Sequence, residues 1–585
     1  MKKFKRIFAA FLAGALLLGL TACDRCTPPV LESGTPQESI YEPEEQDVSK
    51  TQLYVGAWDG GLRSDWLYEW KNRFEELHAE TSFEDGKKGV QIWVNMSKNY
   101  ALEGAASSIK NLSGPTDDEV IITEQCNYYT LKSVALDITD VITNPLTEYG
   151  ETQSILDKMT DSDAEYLGVE ENGKTSYYSL PWYQSFFGLN YDIDLFEEKC
   201  FYFGTDDPAY SAYLDADGFI LDMAVPKSAG PDGVSGTSDD GLPATYDDFF
   251  KLCDKMVANG VTPICWTGAV KDYLNFFTTS LANDAMGYDD AMLQYAMDGK
   301  ETSQLVKSIN ADGTIVFDNA TAITSANGYE MQRNVGKYYA LEFMSRLVRT
   351  RNADGTTKYY DEARCFSNSE SHTSAQARFL RSKPNSEKGN GNAIAMIAEG
   401  TWWYNEATPT FNELTSSGYG ELDRRIGFMP MPKPTADYIG EAVYTSTWDT
   451  GIVIRKNISQ EKVKVAKQFL RYIHTNEALS SFTKNANCIR PYSYELSEED
   501  ATNTSYFAKN AHEIYNTAKI VQPWSSNELV IANGAYFLYD IWNTAQGNVV
   551  VDVLRSKLDG KGYFSALSKY MNQALWESQF SAYLK

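Results

Sequence analysis

Histidine and cysteine are scarce in this chain of 585 residues, which contains 4 histidines and 8 cysteines. The histidines are scattered, whereas a site for a transition-metal cargo needs such ligands close together. The cysteines lack the regular spacing that a disulfide framework imposes on a small exported domain. The composition therefore indicates neither a metal carrier nor a disulfide-stapled scaffold.

Basic residues are also few: 52 Lys and Arg side chains stand against 80 Asp and Glu side chains, for a net charge of -28. A surface of this sign repels polyanions, which argues against nucleic acid as a partner. We interpret most of the excess negative charge as a solubilising surface.

Long apolar runs are absent apart from one at the beginning of the chain. A basic segment precedes Ile7–Leu20, and this apolar stretch is too short to span a bilayer comfortably. The following Leu20-Thr21-Ala22-Cys23 resembles the lipobox of bacterial lipoproteins. The resemblance implies a signal peptide over residues 1–22, lipidation of Cys23 and anchoring on the outer face of the cell membrane. The alternative is an ordinary secretory signal that ends near a cysteine.

Residues 23–50 are rich in Pro, Ser and Glu and have almost no periodic apolar content. Such a composition is typical of a disordered tether. The rest of the chain is longer than one hydrophobic core usually organises, so we expect at least two lobes.

Strand-like and helix-like segments alternate from Lys50 onward. The pattern predicts strands over TQLYVGAW, VQIWVNM and DEVIITE, and helices over SDWLYEWKNRFEEL and NYALEGAASSIKNL. This order is typical of a parallel sheet with crossover helices, in which ligands bind beyond the carboxyl ends of the strands. The first candidate ligand residues are therefore Trp58, Asp59 and Glu124.

A second α/β pattern follows the segment SYYSLPWYQSFFGLNYDIDLFEEK, residues 176–199. This segment reads as an extended run, a break at proline and a new strand, as expected where a chain passes from one lobe to another. The pattern continues with a helix over YDDFFKLCDKMVANG and strands over VTPIC and AIAMIA. One long helix is predicted over QEKVKVAKQFLRYIHTNEALSSFT.

Further candidate residues lie at corresponding positions in this second pattern. Most are aromatic side chains that follow a predicted strand or lie at a crossing: Trp182, Tyr183, Trp266, Trp402, Trp403, Trp448 and, beside the last of these, Asp449.

Several of these blocks, in this order, resemble family 1 of the bacterial extracellular solute-binding proteins, the maltose-binding-protein type that serves sugar ABC transporters. The blocks are SLPWYQSFFGLNYDIDLFEE, GLPATYDDFFKLCDKM, AIAMIAEGTWWYNE, RRIGFMPMPKP and TWDTGIVIRKNISQEKVKVAKQFLRYI. They cover nearly all of residues 51–492, although Tyr246 stands where the family usually has Trp.

The resemblance implies an α/β, two-lobed periplasmic-binding-protein-like fold, a Venus flytrap with discontinuous lobes and a hinge. The first lobe would comprise residues 51–180 and 442–490, and the second would comprise residues 181–441 and 491–585. Ligand would lie in the cleft between them and would be enclosed by hinge bending. The implied partners are a carbohydrate and the permease subunits of an ABC importer, without a required cofactor.

Aromatic side chains suit a sugar because they stack on the C–H face of the ring, while carboxylates and amides bind its hydroxyl groups. Trp402 and Trp403 follow their strand where the family places a stacking aromatic. We expect one of them in the cleft and the other, with Tyr404, in the core. We also expect one of Trp182 and Tyr183 to contact ligand. For Trp58, Asp59, Trp266, Trp448 and Asp449, ligand contact and ordinary packing are both open.

The principal alternative is a secreted carbohydrate-active hydrolase, which needs only two suitably placed carboxylates. No zinc-protease, nucleophile-elbow or phosphate-loop motif is complete in the sequence. We therefore predict a binding protein without catalytic activity.

The Gly-rich segment GPDGVSGTSDDG, residues 230–241, offers ligands for a hard cation. Asp232, Thr237, Asp239 and Asp240 could surround a structural calcium ion, although their spacing is not that of an EF-hand. The alternative is a solvated turn in which Asp and Gly serve the backbone geometry.

Overall fold

The computed structural model of the protein describes residues 45–58, 61–96, 118–124, 131–367, 369–524, 527–533 and 540–584. Cys23 and the signal segment, most of the predicted tether, Asp59 and the helix predicted over NYALEGAASSIKNL lie outside the described residues. Within the described residues, no helix combines the length and the apolar character needed to cross a membrane.

The strands are β1 Thr51–Ala57, β2 Val90–Met96, β3 Val120–Glu124, β4 Val169–Glu171, β5 Lys174–Ser176, β6 Phe187–Asp192, β7 Thr262–Cys265, β8 Asp298–Thr302, β9 Val306–Ile309, β10 Ile315–Phe317, β11 Thr321–Thr324, β12 Ile394–Gly400, β13 Ile426–Met429, β14 Val443–Thr445, β15 Thr450–Ile454 and β16 Lys519–Val521.

The α-helices are α1 Asp65–Leu77, α2 Thr139–Thr143, α3 Asp161–Leu167, α4 Ile193–Lys199, α5 Tyr246–Ala258, α6 Tyr273–Met286, α7 Tyr288–Ala296, α8 Val335–Arg349, α9 Glu362–Cys365, α10 His372–Glu387, α11 Trp403–Glu406, α12 Thr408–Thr415, α13 Gln460–Tyr472, α14 Asn476–Ala486, α15 Glu498–Asn503, α16 Tyr506–Thr517, α17 Glu528–Ala532, α18 Val550–Ser556, α19 Gly560–Tyr570 and α20 Gln573–Phe580.

The first sheet has the strand order β15-β3-β1-β2. Strands β1, β2 and β3 are parallel, as the alternation predicts, and β15 returns antiparallel to β3. Alternate side chains of β1 point to opposite faces, and nearly all of them are buried because the sheet is covered on both sides. Helix α1 covers one face, where Trp66, Trp70 and Phe74 recur at helical spacing.

The second sheet has the order β13-β6-β12-β7. Every residue of β6 and β12 is buried, so this sheet is also covered on both faces. Strand β12 is parallel to β7 but antiparallel to β6. The second sheet is therefore mixed. Helix α5 begins where the sequence predicts, because Thr245 and Asp248 form a capping box at its first turn.

The single long helix predicted over residues 460–483 is wrong in one respect, because the structure divides it into α13 and α14. Thr475 interrupts it: its backbone is extended, and its hydroxyl accepts a hydrogen bond from the N–H of Ala478 as the N-cap of α14. Threonine satisfies an otherwise unpaired N–H at such a position, so a new helix start competes with continuation of the first helix.

The last part of the chain extends the second half of the molecule. Helices α18 and α19 both pack against α8, and β14 pairs in parallel with β16. The division of the chain into lobes at residues 180, 442 and 490 stays a prediction.

The side chain of His474, which follows α13, is fully buried and lies beside the guanidinium group of Arg490. Its Nδ1 lies 2.7 Å from the carbonyl oxygen of Leu470, and Arg490 Nη2 lies 2.7 Å from its Nε2. Burial, followed by the charges of Arg490 and Lys158, holds the pKa of His474 well below its usual 6.5. The ring is therefore neutral in the folded protein at neutral pH.

We expect this histidine to destabilise the protein in mild acid. The pKa of His474 is lower in the folded state than in the unfolded state. The neutral ring therefore contributes fully to the free energy of unfolding well above pH 6.5, and this contribution is lost as the pH falls below that value. The loss should be about 1.4 kcal/mol of unfolding free energy per pH unit. Urea unfolding at pH 7.5, 6.5 and 5.5 measures it. His474→Gln should show a flatter dependence, and identical slopes for the two proteins would contradict the assignment.

Candidate ligand site

Three segments run side by side between the two sheets, over residues 180–186, 446–452 and 489–492. Isolated antiparallel bridges join Leu180 to Ile452, Phe186 to Ser446 and Gln184 to Ile489. The first segment leads from the edge of the first sheet into β6, and the second leads back into β15. We call these segments the crossings, because they connect the half of the molecule around the first sheet with the half around the second sheet.

A small cavity of about 20 Å³ lies against these crossings. Among the described residues, its wall includes Asp163, Tyr166, Leu167, Pro181, Tyr183, Gln184, Ser446, Trp448, Asp449, Thr450, Pro491, Gln522 and Trp524. These residues come from the crossings, from α3 and from the segment after β16.

The predicted residues Tyr183, Trp448 and Asp449 all line this cavity. The N–H of Trp448 donates to Ser185 Oγ at 2.8 Å, and Thr450 Oγ1 donates to the carbonyl oxygen of Tyr183 at 3.1 Å. The first two crossings thereby hold each other, and the aromatic and acidic side chains that they carry reach one space. Their contact with a ligand stays a prediction.

Sequence analysis missed the cavity residues Asp163, Gln522 and Trp524. Trp524 lies shortly after β16 and directly after a proline. Other tryptophans were chosen because they follow a predicted strand, so the same criterion could have identified Trp524. Asp163 and Gln522 carry no comparable signal, because their proximity depends on the packing of α3 beside the end of β16.

Trp402 lies next to Trp448 at the end of the second sheet, with ring centroids 6.0 Å apart. Tyr273 and Phe187 also pack on Trp402, which is only 4% exposed. A Cβ atom on Gly400 would lie 2.2 Å from the Trp402 ring, so the ring covers a position that only glycine can occupy. Trp402 does not line the cavity in this conformation, but it packs against Trp448, which does.

The rings of Trp182, Trp266 and Trp403 are enclosed by protein. Trp182 stacks on Trp66, and its Nε1 donates to the carbonyl oxygen of Thr123 at 2.9 Å. Trp266 packs on Tyr360. These indoles serve the core in this conformation, because the aromatic cores of the two halves extend up to the crossings.

Trp403 and Tyr404 also lie in the core, where both contact Phe507. The backbone turns after Gly400, so neighbouring side chains point to different sides. The core position of Trp403 and Tyr404 agrees with the expectation for one of the pair, whereas Trp402 does not line the cavity and its contact with a ligand stays a prediction.

The candidates at the end of the first sheet are less completely described. Trp58 is partly buried, and its Nε1 has no hydrogen-bond partner among the described residues. Glu124 ends β3 and pairs in register with Thr450, while its side chain lies outside the description.

The two halves touch beyond the end of β1. Asn405 Nδ2 donates to the carbonyl oxygens of Leu62 and Ala486, each at 2.8 Å. Gly61 has a φ of +81°, and a Cβ atom there would lie 2.7 Å from Glu406 Oε1. The Glu406 side chain could move away, so it is the positive φ that favours glycine at position 61.

Two carboxyl groups near this contact share one amide. Gln376 Nε2 donates to Glu406 Oε2 at 2.8 Å and to Glu399 Oε1 at 3.2 Å. Burial raises the pKa of both carboxyl groups above the usual range, well above it for Glu399. Glu399 is 1% exposed and does not line the cavity. The carboxyl group of Glu399 is therefore shielded from solvent in the structure.

The carboxylates of the predicted calcium loop bind the loop itself. Asp239 Oδ2 accepts from the N–H of Asp232 at 3.1 Å, Asp240 Oδ2 accepts from the N–H of Gly236 at 2.8 Å, and Asp239 Oδ1 accepts from the Thr237 hydroxyl at 2.5 Å. Burial raises the pKa of Asp239 to about 6. Across the described residues, no group of three or more His, Cys, Asp or Glu side chains is arranged to hold a metal ion. The arrangement fits a structured turn, and calcium binding stays a prediction.

No protein-family model matches the chain, and no match was found among the curated proteins. Solved structures do match. The apo-form of RafE from Streptococcus pneumoniae is 15% identical, with 90% of this chain and 99% of that chain covered and a TM-score of 0.51. The bacterial solute receptor AcbH is also 15% identical, with 92% and 100% covered and a TM-score of 0.51.

A chitin oligosaccharide binding protein is 14% identical, with 91% of this chain and 100% of that chain covered and a TM-score of 0.51. At these identities the likeness concerns the fold. The chain has the two-lobed α/β fold of the bacterial solute-binding proteins, as the resemblance in its sequence predicted.

Proposed function

We propose that this protein captures a carbohydrate in the cavity at the crossings and delivers it to an ABC importer. The observation that carries the proposal is the composition of the cavity wall: Tyr183, Trp448 and Trp524 lie there together with Asp163, Asp449 and two glutamines. Aromatic rings beside carboxylates and amides are the chemistry that a sugar requires.

The binding energy would come from two sources. Covering the apolar face of a sugar ring with indole removes it from water at about 25 cal/mol per Å². Hydrogen bonds to the rim hydroxyls add selectivity, because a buried polar group left without its partner costs about 1–3 kcal/mol. Closure of the lobes around the hinge would complete the site.

Two proteins that share this fold support a sugar as the ligand. AcbH is described as having an exclusive preference for β-D-galactopyranose, and another protein with this fold is named for binding chitin oligosaccharide. We extend this class of ligand to the present chain. Anchoring through Cys23 on the outer face of the membrane would keep the receptor beside its permease.

A thermal-shift screen of the purified chain against monosaccharides and oligosaccharides tests the proposal. A ligand that binds only the folded state, supplied at about 100 times its dissociation constant, stabilises by about 2.7 kcal/mol. We expect a rise of a few degrees in Tm with at least one sugar. A complete panel without any shift would reject carbohydrate capture.

The same incubations separate the receptor from the alternative hydrolase. A receptor releases the sugar unchanged when it is denatured, whereas a hydrolase with paired carboxylates yields shorter products. Chromatography of the recovered sugar distinguishes these outcomes, and cleavage would replace the receptor proposal.

A further inference from the structure

Asp163 and Gln522 form a fixed pair in the cavity wall, although they are 359 residues apart in the sequence. Gln522 Nε2 donates to Asp163 Oδ1 at 2.9 Å. The hydroxyl of Thr160 donates to Asp163 Oδ2 at 2.7 Å. Asp163 is 5% exposed and Gln522 is 8% exposed, so little water competes for these bonds.

Both residues are held by rigid elements. Asp163 is the third residue of α3, whose N-cap Thr160 accepts from its N–H at 3.1 Å. Gln522 directly follows β16, and the last residue of that strand, Val521, accepts a hydrogen bond from the N–H of Ser446 in the second crossing. The pair therefore has a defined position relative to Trp448.

The carboxylate determines which end of the amide faces it. An ionised carboxylate only accepts hydrogen bonds, so it selects the NH₂ group of Gln522 and turns the carbonyl oxygen away. No described residue donates a hydrogen bond to Gln522 Oε1 in the structure. Its carbonyl oxygen is thus an oriented acceptor in the wall of the cavity.

We propose that Gln522 is a specificity-determining residue that accepts a hydrogen bond from one ligand hydroxyl, and that Asp163 is the positioning residue that orients its amide. The inference rests on the proposed function, since it names the feature of the sugar that the same cavity recognises. A hydroxyl group donates to this acceptor, whereas a deoxy or deoxyfluoro position offers no donor. The cavity therefore selects against sugars modified at that one position.

The experiment compares a parent sugar with its set of monodeoxyfluoro analogues by isothermal titration calorimetry. The parent is the sugar of the thermal-shift panel that binds the wild-type chain most tightly. We expect the wild-type protein to bind one analogue about 10-fold more weakly than the parent, because its carbonyl acceptor is then unpaired. Gln522→Leu should bind the parent about 10-fold more weakly and should no longer distinguish that analogue.

Exchanging the carboxyl group and the amide between positions 163 and 522 distinguishes a role of Asp163 in orienting Gln522 from a purely structural role. Asp163→Asn should lose the discrimination, because an asparagine amide can donate to Gln522 Oε1 and allow the glutamine to turn over. The double variant Asp163→Asn/Gln522→Glu should recover it, because the introduced asparagine can donate to one oxygen of the introduced carboxylate and leave the other oxygen as the acceptor. A purely structural role predicts no such recovery.

Asp500→Asn is the matched control. Asp500 is also the third residue of a short helix, its N–H also donates to the N-cap side chain, Ser497, and its carboxylate accepts from Ser480, but it does not line the cavity. This variant should change stability without changing the ratio of parent to analogue affinity.

The outcomes are distinguishable. A wild-type chain that binds no sugar rejects both the proposed function and this inference. A wild-type chain that binds sugar, with wild-type ratios in Gln522→Leu and Asp163→Asn, rejects the inference alone. Loss in the single variants without recovery in the double variant rejects the role of Asp163 in orienting the amide.

Discussion

Trp448→Ala is expected to weaken sugar binding by about 100-fold, the largest effect of any single substitution in the cavity. Trp448 lies in the second crossing, lines the cavity and is held from behind by Trp402 and Phe276. Truncation of a central, well-supported aromatic side chain typically costs about 2–4 kcal/mol of binding free energy, and each 1.4 kcal/mol is tenfold in affinity. Calorimetry with the sugar identified in the thermal-shift screen measures the change.

Trp93→Ala provides the control. Trp93 is also partly buried, stacks on Tyr54 and donates from Nε1 to Gln52 Oε1 at 2.7 Å, but it lies on β2 away from the crossings. Both variants should lose some stability, whereas only Trp448→Ala should lose affinity. Equal affinities of the two variants would show that the sugar binds elsewhere.

Asp192→Asn is expected to lower the free energy of unfolding by about 3–5 kcal/mol. Arg424 Nη2 lies 2.6 Å from Asp192 Oδ2, and the two side chains are only 2% and 1% exposed. Asparagine retains an oxygen that can cap α4, as Asp192 Oδ1 does for the N–H of Leu195. The cost therefore arises from the charge, because Arg424 would be left buried without a counter-ion. Urea unfolding followed by tryptophan fluorescence measures it.

The adjacent pair Arg425–Asp194 is a control within the same two segments. Its shortest separation is 2.6 Å, but its side chains are 42% and 31% exposed. Water solvates both charges, so Asp194→Asn should cost at most about 1 kcal/mol. Similar losses for Asp192→Asn and Asp194→Asn would mean that burial does not determine the strength of the first pair.

Trp448→Ala and Asp192→Asn test different parts of the molecule. The buried ion pair joins β6 to the segment before β13 and stabilises the second sheet, independently of any ligand. Trp448 belongs to a crossing, where a change in affinity need not follow a change in stability. Measuring both quantities for each variant therefore tests the site separately from the scaffold.

Much of the architecture was predictable from local pattern. The alternation of strands and helices predicted the parallel part of the first sheet, and the break at Pro181 predicted the first crossing. Periodicity succeeds here because burial on both faces of a sheet, or on one face of a helix, demands apolar residues at fixed spacing. The division between α13 and α14 was not predicted, because the apolar spacing continues across the N-cap at Thr475.

The sequence by itself determined that aromatic side chains follow the strands and lie at the crossings, and hence that the cleft edge is aromatic. It could not distinguish Trp448, which lines the cavity, from Trp182 and Trp403, which lie in the core. Only the tertiary structure decided this, because the side of a turn on which a ring lies depends on elements packed against it. The same holds for Asp163 and Gln522, whose hydrogen bond exists only after segments 359 residues apart have folded together.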